Sequence, residues 1–322
     1  MYSGLPLKIG RTASDGTFEA DVLAGLSKRP RAIPAKFLYD AQGSALFDAI
    51  CELPEYYLTR TEIAILRDGV HQIAARAGAG RQLVEFGSGS SVKTRLLLDG
   101  LADVSAYVPI DISGEHLEAT CRRLRADYPA LAIVPVCADY MELPLLPWLP
   151  GAAGAAKLGF FPGSTIGNLE PHEAQAFLVN ARHLLGDDGA LVVGADLKKD
   201  PDMLHAAYND SAGVTAAFSL NLLTRMNREL GANFDIGAFE HDAFYNSDEG
   251  RIEIYIRSLR SQSIVVAGQR FFFEAGERIH TEYSYKYSLG DVDALAAPTG
   301  FIRAQTWTDP DELFSVHYLA AV

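Results

Sequence analysis

Cysteine is scarce: Cys51, Cys121 and Cys137 are the only three in 322 residues. They stand singly, with no C-x-x-C pair and no Cys/His ligand spacing, so neither a disulfide framework nor a metal centre organises the chain. Isolated thiols of this kind suit core positions in a reducing compartment. Nowhere do about 18 apolar residues run together as a membrane span requires, and the opening MYSGLPLKIG carries no long apolar segment. Basic residues are outnumbered, 28 Lys and Arg against 41 Asp and Glu, for a net charge of −13. Without a dense Lys/Arg run, that balance disfavours nucleic acid and anionic membrane as partners. The pattern G-x-x-x-x-G-K-[ST] is missing too, which disfavours a phosphate cradle. Repeats and low-complexity linkers are also absent. What is there is 48% hydrophobic, enough for one large core or two modest ones in a soluble, cytoplasmic protein.

From Glu62 onward, helical and extended patterns alternate. A helix runs to about Ala77, a buried strand covers Gln82 to Phe86, and a helix spans about Lys93 to Leu101. Strands follow at Ala106 to Ile110, Ala132 to Val136, Lys157 to Phe161 and Ala190 to Gly194, with a helix from Glu173 to Leu185. Alternation of this kind predicts a largely parallel, doubly wound α/β sheet. After Asp196 it stops. A long helix, Val214 to Leu230, precedes extended segments at Arg251 to Arg257, Gln262 to Val266, Arg270 to Glu274 and Arg278 to Tyr287, which suit an antiparallel sheet. The alternation resumes with a helix near Asp291 to Ala297 and strands at Phe301 to Trp307 and Leu313 to Ala320. Two domains are therefore expected: 61–196 plus 287–322 as the α/β domain, and 1–60 plus 197–286 as an inserted α+β substrate-binding domain. In the first sixty residues no strand stands out.

The strand ends carry the chemistry. The turn Glu85-Phe86-Gly87-Ser88-Gly89-Ser90-Ser91-Val92-Lys93 has G-x-G, but Val92 stands where a dinucleotide fingerprint wants its third glycine. Asp111 closes the next strand, where a carboxylate can accept hydrogen bonds from ribose hydroxyls. Asp139 and Tyr140 follow the third strand, a carboxylate beside an aromatic suited to adenine. The fourth ends in FFPGSTIGNLEP, Phe160 to Pro171, which exposes backbone and short polar groups at its carboxyl end. Four such ends point to a nucleoside-type cofactor in the switch-point crevice. S-adenosylmethionine suits an acidic turn better than a pyrophosphate does, since its sulfonium is positive and Glu85 is expected to face the same crevice. NAD is the runner-up.

Longer motifs make the match specific: KFLYD, LPEYYLTRTE, LVEFGSGSSVKTRLLL, GSTIGNLEP, YNDSAGVTAAF, NRELGANFD, FYNSDEGRIEI and TEYSYKY. Over nearly its full length the chain resembles the histidine-specific Nα-methyltransferases of ergothioneine biosynthesis. The resemblance implies a class I, Rossmann-like methyltransferase fold, S-adenosylmethionine as methyl donor, no metal, and L-histidine as a small-molecule substrate trimethylated to hercynine by a monomeric enzyme. It implies that Gly87, Lys93, Asp111, Asp139 and Tyr140 line S-adenosylmethionine, with Tyr39 nearby. It further implies that Asn168 and Tyr208 hold the substrate's α-amino and carboxylate groups, and that Tyr56, Glu282 and Ser284 surround the imidazole. Tyr39 and Asn168 are the expected catalytic residues. One departure falls at the ring pocket, where Ile254 stands in a position the family often fills with methionine. Taken by themselves, Glu282 and Ser284 share one strand face and could equally be a solvated edge. The alternative activity is Nα-methylation of another amino acid such as tryptophan or tyrosine.

Overall fold

The apolar segments between residues 82 and 196 carry too little polar alternation to leave a face in water, so a sheet built from them has to be covered on both sides. A computed structural model of the chain describes residues 7–8, 17–89, 92–141 and 154–322. In chain order its elements are β1 (Leu7–Lys8), α1 (Thr17–Ser27), β2 (Arg31–Ala32), α2 (Ala41–Cys51), α3 (Tyr57–Ala77), β3 (Gln82–Phe86), α4 (Val92–Gly100), β4 (Ala106–Asp111), α5 (Gly114–Asp127), β5 (Val136–Cys137), β6 (Lys157–Phe161), α6 (Pro171–Leu185) and β7 (Ala190–Asp196). Then come α7 (Pro201–Tyr208), α8 (Val214–Leu230), β8 (Phe239–Asn246), β9 (Arg251–Ser258), β10 (Gln262–Val266), β11 (Gln269–Phe273), β12 (Arg278–Tyr285), α9 (Leu289–Ala296), β13 (Phe301–Thr308) and β14 (Phe314–Ala321). They form two compact units. One holds β1 with Leu58–Lys198 and Tyr285–Val322, the other α1 through Tyr57 with Lys199–Ser284.

The first unit is an eight-stranded sheet in the order β1-β5-β4-β3-β6-β7-β14-β13. Strands from β1 to β7 pair in parallel, whereas β14 runs antiparallel between β7 and β13. After the two-residue edge strand β1, the chain enters this doubly wound sheet in the middle at β3, moves outward through β4 and β5, then crosses to β6 and β7 on the other side. That reversal is the switch point at which open α/β sheets bind ligands. Every residue of β3 and β7 is buried, as a sheet covered on both faces demands. The strand expected at Ala132 to Val136 is broken: Ile133 makes an isolated bridge to Tyr107, and pairing resumes only at β5. Pro135 has no N–H to give the ladder, which accounts for the gap.

The second unit contains a four-stranded sheet, β2-β12-β9-β8, and the hairpin β10-β11. Here β12 pairs with the two-residue β2 only at Ile279 and His280, and Glu282 and Ser284 further along it are both buried, which overturns the reading of that face as solvated. Contrary to expectation the first sixty residues contain strands, β1 and β2, but each is two residues long and pairs with one neighbour, leaving no periodicity to detect. Helix α7 and strand β8 are likewise additions to the expected pattern. The amino-terminal stretch read above for apolar segments lies outside the described residues apart from Leu7 and Lys8. No helix among the described residues is long and apolar enough to cross a membrane.

A buried histidine in the first unit makes stability pH-dependent. His317 on β14 is fully buried, with Ser315 Oγ 2.8 Å from Nε2 and Thr306 Oγ1 3.1 Å from Nδ1. Burial pushes its imidazole down from 6.5 to about 4, so the folded protein holds it neutral. The unfolded chain takes up a proton that the folded one refuses, so stability is fully present above 6.5 and is lost as pH falls towards 4. The loss should approach about 3 kcal/mol. Urea unfolding across this interval should show it, and His317→Gln should flatten the slope; an equal slope in the variant would refute the assignment.

Candidate active site

The site residues of the first unit gather at the carboxyl ends of its parallel strands. Directly after β3, Gly87 takes φ +75°, a left-handed conformation that glycine adopts without strain, and its N–H donates to Ile110 O at 2.8 Å. A Cβ at Gly87 would lie 3.9 Å from the ring of Tyr140, so turn and ring are neighbours. The Tyr140 ring is fixed edge-on by Phe161 and Phe177, with centroids 5.4 and 5.7 Å away. Asp111, half-buried at the end of β4, accepts the N–H of Ser113 at 2.9 Å and reaches that of Gly89 at 3.5 Å. Burial raises its carboxyl above the usual range, and these amides oppose the rise. Asp139 is half-buried and accepts Met141 N–H at 3.0 Å. Gly87, Asp111 and Tyr140 are thus brought together around one turn. Ser90 and Ser91 of that turn lie outside the described residues.

Glu85 corrects the expectation placed on it. It is buried within β3 and receives the hydroxyls of Thr94, at 2.8 and 2.9 Å, and of Tyr107. Burial pushes its carboxyl up to about 8 against these hydrogen bonds. It is held in the packed interior by side chains of α4 and β4, and burial disfavours the charge that a sulfonium would seek.

Lys93, at the start of α4, reaches Glu62 on α3 at 2.5 Å. Glu62 is fully buried and also accepts the N–H of Gly163, its two oxygens lying at 2.8 and 3.0 Å. Room for this carboxylate comes from Gly194 on β7, where a Cβ would stand 2.3 Å from Glu62 Oε1. Sequence reasoning missed Glu62 as a site residue. Its only signal was its place in LPEYYLTRTE, where it reads as a helix start.

Asn168 ends the 3-10 turn Thr165–Asn168 that follows β6. Ser164 enters that turn at φ +57°, and its Oγ accepts the N–H of Asp196 at 2.9 Å. The Asp196 carboxylate in turn meets Lys286 at 2.9 Å, both fully buried. Gly167 is obligatory, since a Cβ there would come within 2.7 Å of Tyr285 O. Tyr287 donates to Ile166 O at 3.2 Å, and Tyr285 to Glu170 at 3.1 Å. Within this pinned backbone the half-buried Asn168 side chain makes no hydrogen bond among the described residues. An amide held in place with its donors and acceptor unspent is ready for a ligand.

The remaining predicted residues belong to the second unit. Tyr208 closes α7, and its hydroxyl lies 2.8 Å from Ser284 Oγ, both side chains buried. Its carbonyl accepts from His241 Nε2 at 2.8 Å, while Ser219 Oγ sits 2.9 Å from the other ring nitrogen. Burial holds His241 below its ordinary pKa, which favours the neutral ring. Nothing in the sequence marked His241. The Tyr56 ring stands edge-on to Tyr208 at 6.2 Å, Phe47 packs between Tyr56 and Tyr39, and Phe218 backs Tyr39 at 5.4 Å. Burial, with Tyr208, Cys51, Tyr39 and Glu282 adding to it, raises the Tyr56 hydroxyl well above its usual pKa. Glu282 and Ser284 project from β12, and Ile254 is buried on neighbouring β9, where its carbonyl accepts from Thr281 Oγ1 at 3.1 Å. The unit therefore presents an aromatic wall beside a buried carboxylate and a hydroxyl pair. Tyr39, expected beside the cofactor, belongs to this wall. Among the described residues no group of three His, Cys, Asp or Glu side chains could hold a metal ion.

Comparison with known proteins bears on these two sets of residues. The family described as histidine-specific methyltransferase, SAM-dependent, matches residues 18–321. The histidine N-alpha-methyltransferase of Mycolicibacterium smegmatis is 44% identical over 307 residues, covering 92% of this chain and 94% of that protein. That of Mycobacterium tuberculosis is 41% identical over 306 residues, covering 94% of each. The ergothioneine biosynthesis protein 1 of Neurospora crassa is 31% identical over 299 residues, 90% of this chain but 33% of that longer protein.

Proposed function

Because the chain belongs to the S-adenosylmethionine-dependent histidine-specific methyltransferases, we propose that it methylates the α-amino nitrogen of L-histidine three times in succession, giving hercynine for ergothioneine biosynthesis. S-adenosylmethionine supplies a methyl group on a positively charged sulfur; the neutral amine attacks that carbon in line, forming the N–C bond as the C–S bond breaks and the sulfur leaves as a neutral thioether, and the nitrogen gives a proton to water before the second and the third transfer. The chain's own residues bind and orient the reactants. Asp111 accepts the ribose hydroxyls, Tyr140 lies against the adenine beside Gly87, Asp139 takes an adenine N–H, and Lys93 offers its ammonium to the donor. Asn168 and Tyr208 hold the amino acid's common part, and Glu282 with Ser284 takes the imidazole nitrogens. Tyr39 and Tyr56 present ring faces to the growing ammonium, worth about 0.5–2 kcal/mol as cation-π attraction. Orientation can lower the barrier by about 7–11 kcal/mol, so a strong general base is not required. The enzyme works as a cytoplasmic monomer on a small molecule.

The observation that carries this reading lies in the second unit, where the buried carboxylate of Glu282 shares β12 with Ser284 and the Ser284 hydroxyl lies 2.8 Å from that of Tyr208, an acceptor and a hydroxyl pair of the kind the two nitrogens of an imidazole need. Mass spectrometry after incubation with S-adenosylmethionine and an equimolar amino-acid mixture tests it. Histidine should gain three methyl groups well ahead of tryptophan, tyrosine, phenylalanine and leucine. Comparable methylation of tyrosine or tryptophan would overturn the histidine assignment and direct attention to Ile254.

A further inference from the structure

Glu62 carries more contacts than a helix residue outside the expected site needs. Its buried carboxylate receives the Lys93 ammonium at 2.5 Å and the Gly163 N–H at 2.8 and 3.0 Å. Those groups start the segments after β3 and β6, the two strands flanking the switch point. Space for the carboxylate exists only because residue 194 of β7 lacks a Cβ. Three separate elements are thus shaped around one side chain. Burying an ion pair is seldom the stabler choice against apolar packing of the same volume, so stability alone is a weak account of it.

We propose that Glu62 is a positioning residue for the methyl donor, acting through Lys93 and Gly163. Lysine is a point charge on a flexible four-carbon stem, and left to itself it would lose rotamer freedom on meeting a ligand. Anchoring one of its three N–H groups on Glu62 fixes the ammonium beforehand and leaves two donors at its partly exposed end. The carboxylate also offsets the lysine's charge, which lowers repulsion of a cationic sulfonium. Its second contact holds the Gly163 amide, and with it the entry to the turn that ends in Asn168. This inference rests on the proposed use of S-adenosylmethionine and extends it to a residue that touches neither reactant.

The test is a double-mutant cycle read by calorimetry with S-adenosylhomocysteine on the full chain, using wild type, Glu62→Gln, Lys93→Met and the double variant. Each single change should weaken binding about tenfold or more, and the double no more than about twofold beyond the weaker single, because both remove one interaction. In Glu62→Gln the amide oxygen can still accept the Gly163 N–H and keep the Asn168 turn in place, so the KM for histidine should move by less than about threefold while that for S-adenosylmethionine rises, a split that general loosening of the fold would not give. Glu62→Gln binding within about twofold of wild type, or losses that multiply in the double variant, would overturn the proposal. If Glu62→Gln does not fold, Gly194→Ala decides, since it keeps both charges and displaces the carboxylate. It should reproduce the loss, and unchanged affinity there would overturn the proposal. A wild-type chain that bound no S-adenosylhomocysteine would overturn the underlying functional reading as well, whereas normal wild-type binding with unaffected variants removes Glu62 alone.

Discussion

Asn168→Ala is expected to lower turnover by about 10²-fold for every amino acid the enzyme accepts, since misplacing a reacting group by about 1 Å already costs that much. The backbone at this point does not depend on the Asn168 side chain. Gly167 N–H donates to Ser164 O at 2.8 Å, Leu169 N–H to Ile166 O at 3.3 Å, and Tyr287 secures Ile166 from outside the turn. Alanine therefore removes an amide and leaves its support standing, so thermal stability should change little while kcat falls. Steady-state kinetics on histidine and on the next-best amino acid, with melting curves as control, would check this. A variant that lost histidine turnover yet kept another amino acid at full rate would show that Asn168 does not hold the common part of the substrate.

Glu282→Ala should act on choice rather than on rate alone. The carboxylate is buried on β12, so a substrate ring that presents no N–H to it forgoes a hydrogen bond made away from water. Sites built to bond a substrate group reject analogues lacking it by about 10⁴–10⁵. Removing the carboxylate removes that rejection, and the ratio of kcat/KM for histidine over tyrosine or tryptophan should fall by at least about 10². The Tyr208–Ser284 contact stays in place, and because either hydroxyl can donate, Ser284 can still serve a ring nitrogen. An unchanged ratio in direct competition would rule out Glu282 as the imidazole acceptor.

Much of this arrangement was legible in the chain itself, and for reasons that differ between elements. Helix α8 has the bounds its periodicity predicts because Gly213 and Gly231, both left-handed, cap its two ends. The start of α6 is marked by Pro171 and by the reciprocal capping of Glu170 and Glu173. The strand ends bearing Gly87, Asp111 and Asn168 could be read because turn chemistry is local. Side-chain direction is not local: Glu85 looks like a crevice carboxylate until Thr94 and Tyr107 claim it from other elements. Glu282 could be placed on a strand, but whether its face was solvated or buried depended on what the rest of the chain packs against it, and the structure buries it. The roles of Glu62 and His241 are likewise set by partners distant in sequence.

The position of β14 bears on how the protein is made. It runs between β7 and β13, so the sheet of the first unit cannot close until Phe314–Ala321 has left the ribosome. Every strand of the second unit, by contrast, has been synthesised once Ser284 is out, and domains generally fold as units during synthesis. During translation the second unit can therefore be complete while β7 still has an open edge. An open edge of that kind is a template for pairing with other chains. The β7 edge stays open from residue 196 until residue 321 has been made, and slow codons within that interval would prolong the exposure.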